Sequence, residues 1–379
     1  MAKKLTIQDI ARLAGVSHST VSRVLNKKPD VDAITRERVL RVVQEQGYVP
    51  NLAAARLAGG RSQIVGVLVP SLSWPFIPDI VQGVMSTSLQ WPLIPEIMRG
   101  VTEFIGDTSY EVLLYSISRQ KDHRDVINRI LATQLVSGLL AILPGQAAQD
   151  LIGAHEQGLP VVVIDDQGIT HGLPWVGTDN RHGAYLAVKH LISLGHRRIG
   201  HIRGLFACSE ERYLGYCDAL QEAGIPLDPM LVLQGDFEFT SGQACARIFF
   251  EMQERPTALF VGNDQMAFGV LTVAEQRSVR VPQDVAVVGF DDIPLSAHIR
   301  PALTTVRQPF FEMGKCAAEL LLSLSEATDL SQRHSLAVTR ALEERWEQSP
   351  RIELATSLTV RESCGARNRY PFSVFTANS

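Results

Sequence analysis

The chain has 379 residues, 45% hydrophobic and 20% charged, which fits a globular protein with one core-bearing domain and a small appendage. Its longest apolar runs, Ile64–Val69, Leu139–Leu143 and Val285–Phe290, fall well short of the roughly 18 residues of a membrane-spanning helix. No secretory signal is visible behind Met-Ala-Lys-Lys. The five cysteines (208, 217, 245, 316 and 364) lack C-x-x-C spacing and fit reduced thiols in a cytoplasmic protein. The net charge of −4 conceals an asymmetry: residues 1–61 carry eleven Lys/Arg against five acids, net +6, and the remainder is −10. The basic N-terminal end is the nucleic-acid candidate.

Thr6 is placed to cap a helix running to about Ala14, with Asp9 in its first turn and Ile10, Leu13 and Ala14 on one face. Gly15-Val16 breaks it. Ser17 caps a second helix through about Asn26, with Val21, Val24 and Leu25 inward and His18, Ser19, Ser22 and Arg23 outward. A third helix from Thr35 to Gln46, ended by Gly47, contributes Val39, Val42 and Val43. A helix that presents short polar residues after a tight turn has the size and chemistry to enter a major groove. Arg23 can fork onto guanine O6 and N7, and His18 and Ser19 can reach neighbouring base edges. Ser17, Thr20, Thr35 and Asn26 are placed to hold phosphates. On pattern alone, a small helical bundle with a polar surface explains the same residues equally well.

The run Leu5-Thr-Ile-Gln-Asp-Ile-Ala-Arg-Leu-Ala-Gly-Val-Ser-His-Ser-Thr-Val-Ser-Arg-Val-Leu-Asn26, followed by Gly47-Tyr-Val-Pro-Asn51 and Ala55-Arg-Leu-Ala58, resembles the DNA-binding head of the lactose/galactose repressor family. The resemblance implies that residues 51–58 form a hinge helix. It also implies that Leu57, paired across a homodimer, wedges into the minor groove at the operator centre. Thr6, Asn51 and Ala58 complete the DNA-contacting set. So short a helix is unstable alone and is expected to order only against DNA and its symmetry mate.

From Ser62 onward, β-branched runs alternate with helical segments. One series of runs is 64–69, 112–116, 139–143 and 161–165; another is 199–202, 258–262 and 285–290, with helices at 180–194, 210–223, 241–253 and 264–276. The pattern predicts two lobes, each a parallel sheet covered on both faces, with ligand chemistry at the carboxyl ends of strands. The resemblance continues through Val176-Gly-Thr-Asp-Asn180, Arg212-Tyr-Leu-Gly-Tyr216, Gly262-Asn-Asp-Gln-Met-Ala267 and Val288-Gly-Phe-Asp-Asp-Ile293, and implies a periplasmic-binding-protein-like core. The expected fold class is therefore α/β. The expected domains are a helix-turn-helix head (1–49), a hinge and linker (50–61), a two-lobed ligand-binding and dimerisation core (62–365) and a tail (366–379). The implied core crosses between lobes near 178, near 306 and again in the 330s.

Arg212 opens a helix and offers a planar fork of donors; Asp291, Asn263 and Asp165 end strands. By resemblance these four contact the ligand, together with Phe237, Ser71, Trp74 and Phe76. A carboxylate, an amide and an arginine around an aromatic face suit a sugar or sugar derivative, and a nucleobase is the alternative. Each also has a plain structural reading: a helix-start salt bridge for Arg212, a cap for Asp291, ordinary core for Phe237 or Trp74. His190, His196 and His201 have no spacing that would converge them on a metal. Gly314-Lys315 lacks the rest of a phosphate loop, and no G-x-G-x-x-G, H-E-x-x-H or G-x-S-x-G occurs. The expectation is a ligand-controlled repressor that binds double-stranded operator DNA, with no cofactor and no catalysis. A sugar-binding transport protein would need a signal peptide and no basic head.

Two features depart from the family. Trp74-Pro-Phe-Ile-Pro-Asp-Ile-Val-Gln-Gly-Val84 recurs as Trp91-Pro-Leu-Ile-Pro-Glu-Ile-Met-Arg-Gly-Val101, at an offset of 17 residues. One unbroken helix cannot hold both copies, because Pro92 and Pro95 force a break near 90–95. The stretch 326–348 is longer and more charged than expected.

Overall fold

The computed structural model describes residues 5–25, 30–48, 62–70, 93–117, 123–166, 172–331 and 349–366. The chain divides into two compact units, Met1–Gln63 and Ile64–Ser379.

In the first unit α1 (Ile7–Ala14), α2 (His18–Leu25) and α3 (Ala33–Glu45) pack around Ile10, Ala11, Ala14, Val21, Val24 and Val39. A capping box starts α1. Thr6 Oγ1 accepts from the Asp9 amide at 3.3 Å while the Asp9 carboxylate accepts from the Thr6 amide at 3.0 Å. Gly15, at φ 65°, ends it in the left-handed conformation that a side chain would strain. Two sequence expectations shift. Leu13 is 52% exposed and Ala11 is buried in its place, so the inward face of α1 is Ile10, Ala11 and Ala14. The third helix begins at Ala33 rather than Thr35, since the Asp32 carboxylate caps it by accepting the Thr35 amide at 2.9 Å.

The second unit holds β1 (Ile64–Pro70), α4 (Ile94–Gly106), β2 (Glu111–Ile117), α5 (His123–Thr133), β3 (Gly138–Ile142), α6 (Ala148–Glu156), β4 (Val161–Ile164) and β5 (Trp175–Thr178). It continues with α7 (Asn180–Ser193), β6 (Ile199–Arg203), α8 (Ala207–Glu222), β7 (Val232–Gln234), α9 (Phe239–Glu251), β8 (Ala258–Val261) and α10 (Asp264–Gln276). The last elements are β9 (Ala286–Asp291), β10 (Thr304–Arg307), α11 (Phe310–Ser331), β11 (Arg351–Leu354) and β12 (Ser357–Thr359). Two six-stranded sheets result, ordered β11-β5-β4-β3-β1-β2 and β12-β10-β9-β8-β6-β7. Among the described residues every pairing is parallel except β10 with β12. Strands such as β3 and β9 are buried along their whole length, as sheets covered on both faces require.

Among the described residues the chain passes between sheets three times: after β5, after β10, and between Leu354 and Ser357. The third passage corrects the expectation of a crossing in the 330s. Residues up to 331 extend α11, which packs on the first sheet through Met313, Ala317 and Leu321. The chain joins that sheet once more as β11, beside β5, before it leaves. Of the repeat, the second copy builds α4, with Pro95 in the first turn, where a missing amide costs nothing. The first copy lies outside the described residues.

Candidate functional site

In the helical unit, Ser17, His18, Ser19 and Arg23 are exposed on or just before α2, and Thr20 and Thr35 are half-buried. The Ser17 hydroxyl lies 2.8 Å from those of both Ser19 and Thr20, and it caps α2 by accepting the Thr20 amide at 3.1 Å. Hydroxyls gathered at a helix N-terminus, with the amides beside them, suit an anionic oxygen. Arg23 is 3.2 Å from Asp30, both side chains more than half exposed, so a partner can displace the pair at little cost. Thr6 spends its hydroxyl within its capping box. Asn26, Asn51, Leu57 and Ala58 lie outside the described residues.

In the second unit a backbone signal marks one region. Eight described non-glycine residues have positive φ, and six of them (Leu143, Asp165, Phe206, Phe237, Asp291 and Asp292) fall at or within three residues past the carboxyl end of a parallel strand. Such conformations persist where the surroundings over-determine them, and they collect at functional sites.

Four of the expected residues meet there. Arg212 lies in the second turn of α8 rather than opening it, and is 4% exposed. Its Nε donates to Asn180 Oδ1 at 2.7 Å, and a terminal nitrogen donates to the Gly262 carbonyl at 2.5 Å. The guanidinium covers the Phe290 ring at 3.7 Å from its centroid and approaches Asp291 Oδ1 at 3.6 Å. Asp291 also accepts from Gln308 Nε2 at 2.8 Å. Burial pushes its carboxyl up to about 6, against the pull of Arg212 and Gln308. Asp165, from the other lobe, is pushed up to about 7, first by burial and further by Asp291 and Asp166, with Arg212 opposing. Two carboxyls from opposite lobes thus share the field of one guanidinium. Phe237 lies 5.7 Å from that guanidinium and stacks on Phe206 with centroids 6.1 Å apart.

Asn263 is engaged internally: its Oδ1 caps α10 at the Met266 amide and its Nδ2 donates to the Phe237 carbonyl at 3.0 Å, so it sets the position of Phe237. Ser71, Trp74 and Phe76 lie outside the described residues. Sequence reasoning missed Phe206, Cys208, Asn180, Thr178 and Gln308. Cys208 lies within the electrostatic reach of Arg212, Asp165 and Asp291, and burial pushes its thiol up to about 11. Gln308 could have been found as a polar residue directly after a strand, had so short a strand been visible. Asp264 was missed as well. It is fully buried and accepts from the Ile293 amide (3.0 Å) and the Ser296 hydroxyl (2.6 Å), fixing the turn after β9. Burial raises its carboxyl well above the ordinary range.

The three histidines have separate partners: His190 with Cys364, His196 with Thr257, His201 with the Phe260 carbonyl. Among the described residues no three metal-ligating side chains gather, and no helix is long and apolar enough to cross a membrane.

A helix-turn-helix unit, together with a two-lobed core whose polar cleft lies at its strand ends, defines a ligand-binding transcription regulator. The description "Bacterial regulatory proteins, lacI family" matches residues 6–51, and "Periplasmic binding protein-like domain" matches residues 188–364. The HTH-type transcriptional repressor PurR of Photobacterium profundum is 34% identical over 325 residues, covering 84% of this chain and 91% of that protein. Catabolite control protein A of Priestia megaterium is 32% identical over 321 residues, with the same coverage. Among solved structures, the lac repressor dimer bound to operator and the anti-inducer ONPF superposes with a TM-score of 0.76 at 27% identity, covering 96% and 99% of the two chains. The regulator CelR in its cellobiose complex gives 0.63 at 31% identity, covering 95% and 99%. The chain belongs to the lacI family of bacterial regulatory proteins.

Proposed function

We propose that this regulator is a cytoplasmic homodimeric repressor whose operator affinity is set by a sugar or sugar derivative bound between Arg212, Asp291 and Asp165, and that it catalyses no reaction. The observation that carries this reading is the contact of Arg212 with Asp291 beside the rings of Phe237 and Phe290, with Asp165 of the other lobe within reach of the same guanidinium's charge. Bidentate donors and acceptors match vicinal hydroxyls, and the ring faces match the apolar face of a sugar. Twofold symmetry would present two copies of α2 to a pseudo-palindromic site. A ligand held by both lobes favours the closed arrangement by its difference in affinity for the two states, as inducer or corepressor alike.

The test is a thermal-shift screen over pentoses, hexoses, cellobiose, gluconate and purine nucleobases, run beside Asp291→Asn. At a hundredfold excess over Kd a bound sugar stabilises by about 2.7 kcal/mol, a shift the variant should lose. Stabilisation by a nucleobase alone would replace the sugar reading, and a response unchanged in the variant would remove Asp291 from the site.

A further inference from the structure

Asp291 is followed by a second carboxylate that takes no part in the cleft. Asp292 also sits at positive φ, 57°, and its side chain is 3% exposed. One oxygen accepts from Arg307 Nε at 2.6 Å and is 3.4 Å from the Thr359 hydroxyl. The other lies 2.6 Å from a terminal nitrogen of Arg361, a charge contact without hydrogen-bond alignment. Arg361 in turn donates to the Leu303 carbonyl at 2.7 Å.

These partners sit at particular places in the topology. Arg307 ends β10, immediately before the second passage between lobes; Thr359 ends β12, immediately after the third. Asp291 meanwhile reaches Gln308 at the second passage and, through it, Thr178 at the first. Two consecutive carboxylates on one strand end therefore contact residues beside the second and third passages directly, and the first through Gln308. Stability alone is a weak reason for this, because a buried ion cluster is often replaceable by apolar packing without loss, and two successive aspartates at positive φ add strain.

We propose that Asp292 is a positioning residue that couples the cleft-facing Asp291 to the second interlobe passage through Arg307 and to the third through Arg361. The two aspartates share a peptide unit, so a shift of one carboxylate turns the other within its arginine clamp. Effector contact at the cleft is thereby felt where the chain bends between lobes. This rests on reading the Arg212–Asp291 cleft as the effector site.

The experiment is a double-mutant cycle on the full chain without effector, read by amide hydrogen exchange. Asp291→Asn should change exchange across residues 357–362 by about twofold or more, the lower range for groups in one network. In the Asp292→Asn background the same substitution should leave that segment unchanged. A general loosening of the lobe would also move the amides of α9, which carries no member of this polar network and should stay constant. Should Asp292→Asn not fold, Arg361→Met is expected to erase the signal and Arg361→Lys to keep it. Additive effects, or a signal that survives both Asp292→Asn and Arg361→Met, would overturn the proposal. No effector enters the cycle, so its failure is separate from failure of the ligand screen.

Discussion

The hydroxyl of Thr178 donates to the side-chain carbonyl of Gln308 at 2.6 Å, with both residues buried. Thr178 ends the strand before the first passage between lobes, and Gln308 follows the strand before the second. The Gln308 amide then donates to Asp291, whose contact with Arg212 leads through Asn180 back to the Thr178 carbonyl. The ring of polar contacts is closed, and cutting one link should be felt along it.

Gln308→Leu breaks that ring at its most informative point. The Gln308 amide favours the charged form of Asp291, so its loss should move the Asp291 pKa further above about 6. Carboxyl carbon NMR across pH 4 to 8 checks the direction. Two polar groups also lose their partner inside the protein, which should destabilise by about 2–3 kcal/mol. An unmoved pKa would mean that the Gln308 contact does not govern Asp291.

Arg23→Ala should weaken operator binding by about 1–3 kcal/mol and relax preference at one base position. Leu57→Ala should instead weaken specific binding more than non-specific binding, because a wedge acts only on kinked DNA, whereas phosphate neutralisation is untouched. Binding titrations against a selected operator and a scrambled duplex separate the two. Uniform losses over all sequences would reassign Arg23 to phosphate and Leu57 to a passive linker.

His201 gives acid sensitivity with a definite sign. It is fully buried against Tyr213, Tyr216 and Phe260, and burial depresses its pKa to about 4. Between that value and the ordinary one near 6.5, the unfolded chain binds a proton that the folded chain refuses. Stability from this group is therefore complete above about 6.5 and is lost as pH falls toward 4, by roughly 3 kcal/mol in all. Asp165 and Asp291, raised to about 7 and about 6, carry the opposite sign and lose stability as pH rises from about 4. The parent curve mixes both, so the measurement is the difference from His201→Gln in chemical denaturation at pH 4.5, 5.5 and 7. The variant should lose less stability on acidification, and parallel curves would clear His201.

The repeat should tolerate damage in one copy only. In α4, a side chain on Gly100 would meet the Phe311 carbonyl at 1.9 Å, and one on Gly314 would meet the Ile97 carbonyl at 2.0 Å, so α4 and α11 approach backbone to backbone. Gly100→Leu must force these helices apart and should cost about 2 kcal/mol or more. Gly83→Leu, at the matching place in the first copy, should be close to neutral. Deleting residues 74–90 joins Ser73 to Trp91 and should give a chain that folds, dimerises and melts no lower than the parent. If Gly83→Leu or the deletion unfolds the protein, both copies are built into the lobe.

How far the sequence could be read follows from how local each signal is. Helix starts and stops at Thr6, Gly15 and Asn180, and the long apolar strands, are set by residues within a few positions of one another, where caps and side-chain periodicity act. The α/β class and the two-lobed plan follow from that alternation, and the head and core families from motif density. Five strands of three or four residues (β5, β7, β10, β11 and β12) escaped notice, because, unlike the equally short β4 and β8, they are not unbroken apolar runs and their pairing is fixed by partners far along the chain. Arg212, Asn263, Asp165 and Asp291 were visible as polar groups near strand ends. Their roles were not, because burial, the direction of a guanidinium and the partner of an amide are fixed only when remote segments meet. Asn180, Gln308 and Asp292 show the same limit: each is an ordinary polar residue in sequence, and only folding brings residues 130 apart within hydrogen-bond reach, where loss of water makes every unpaired polar atom costly.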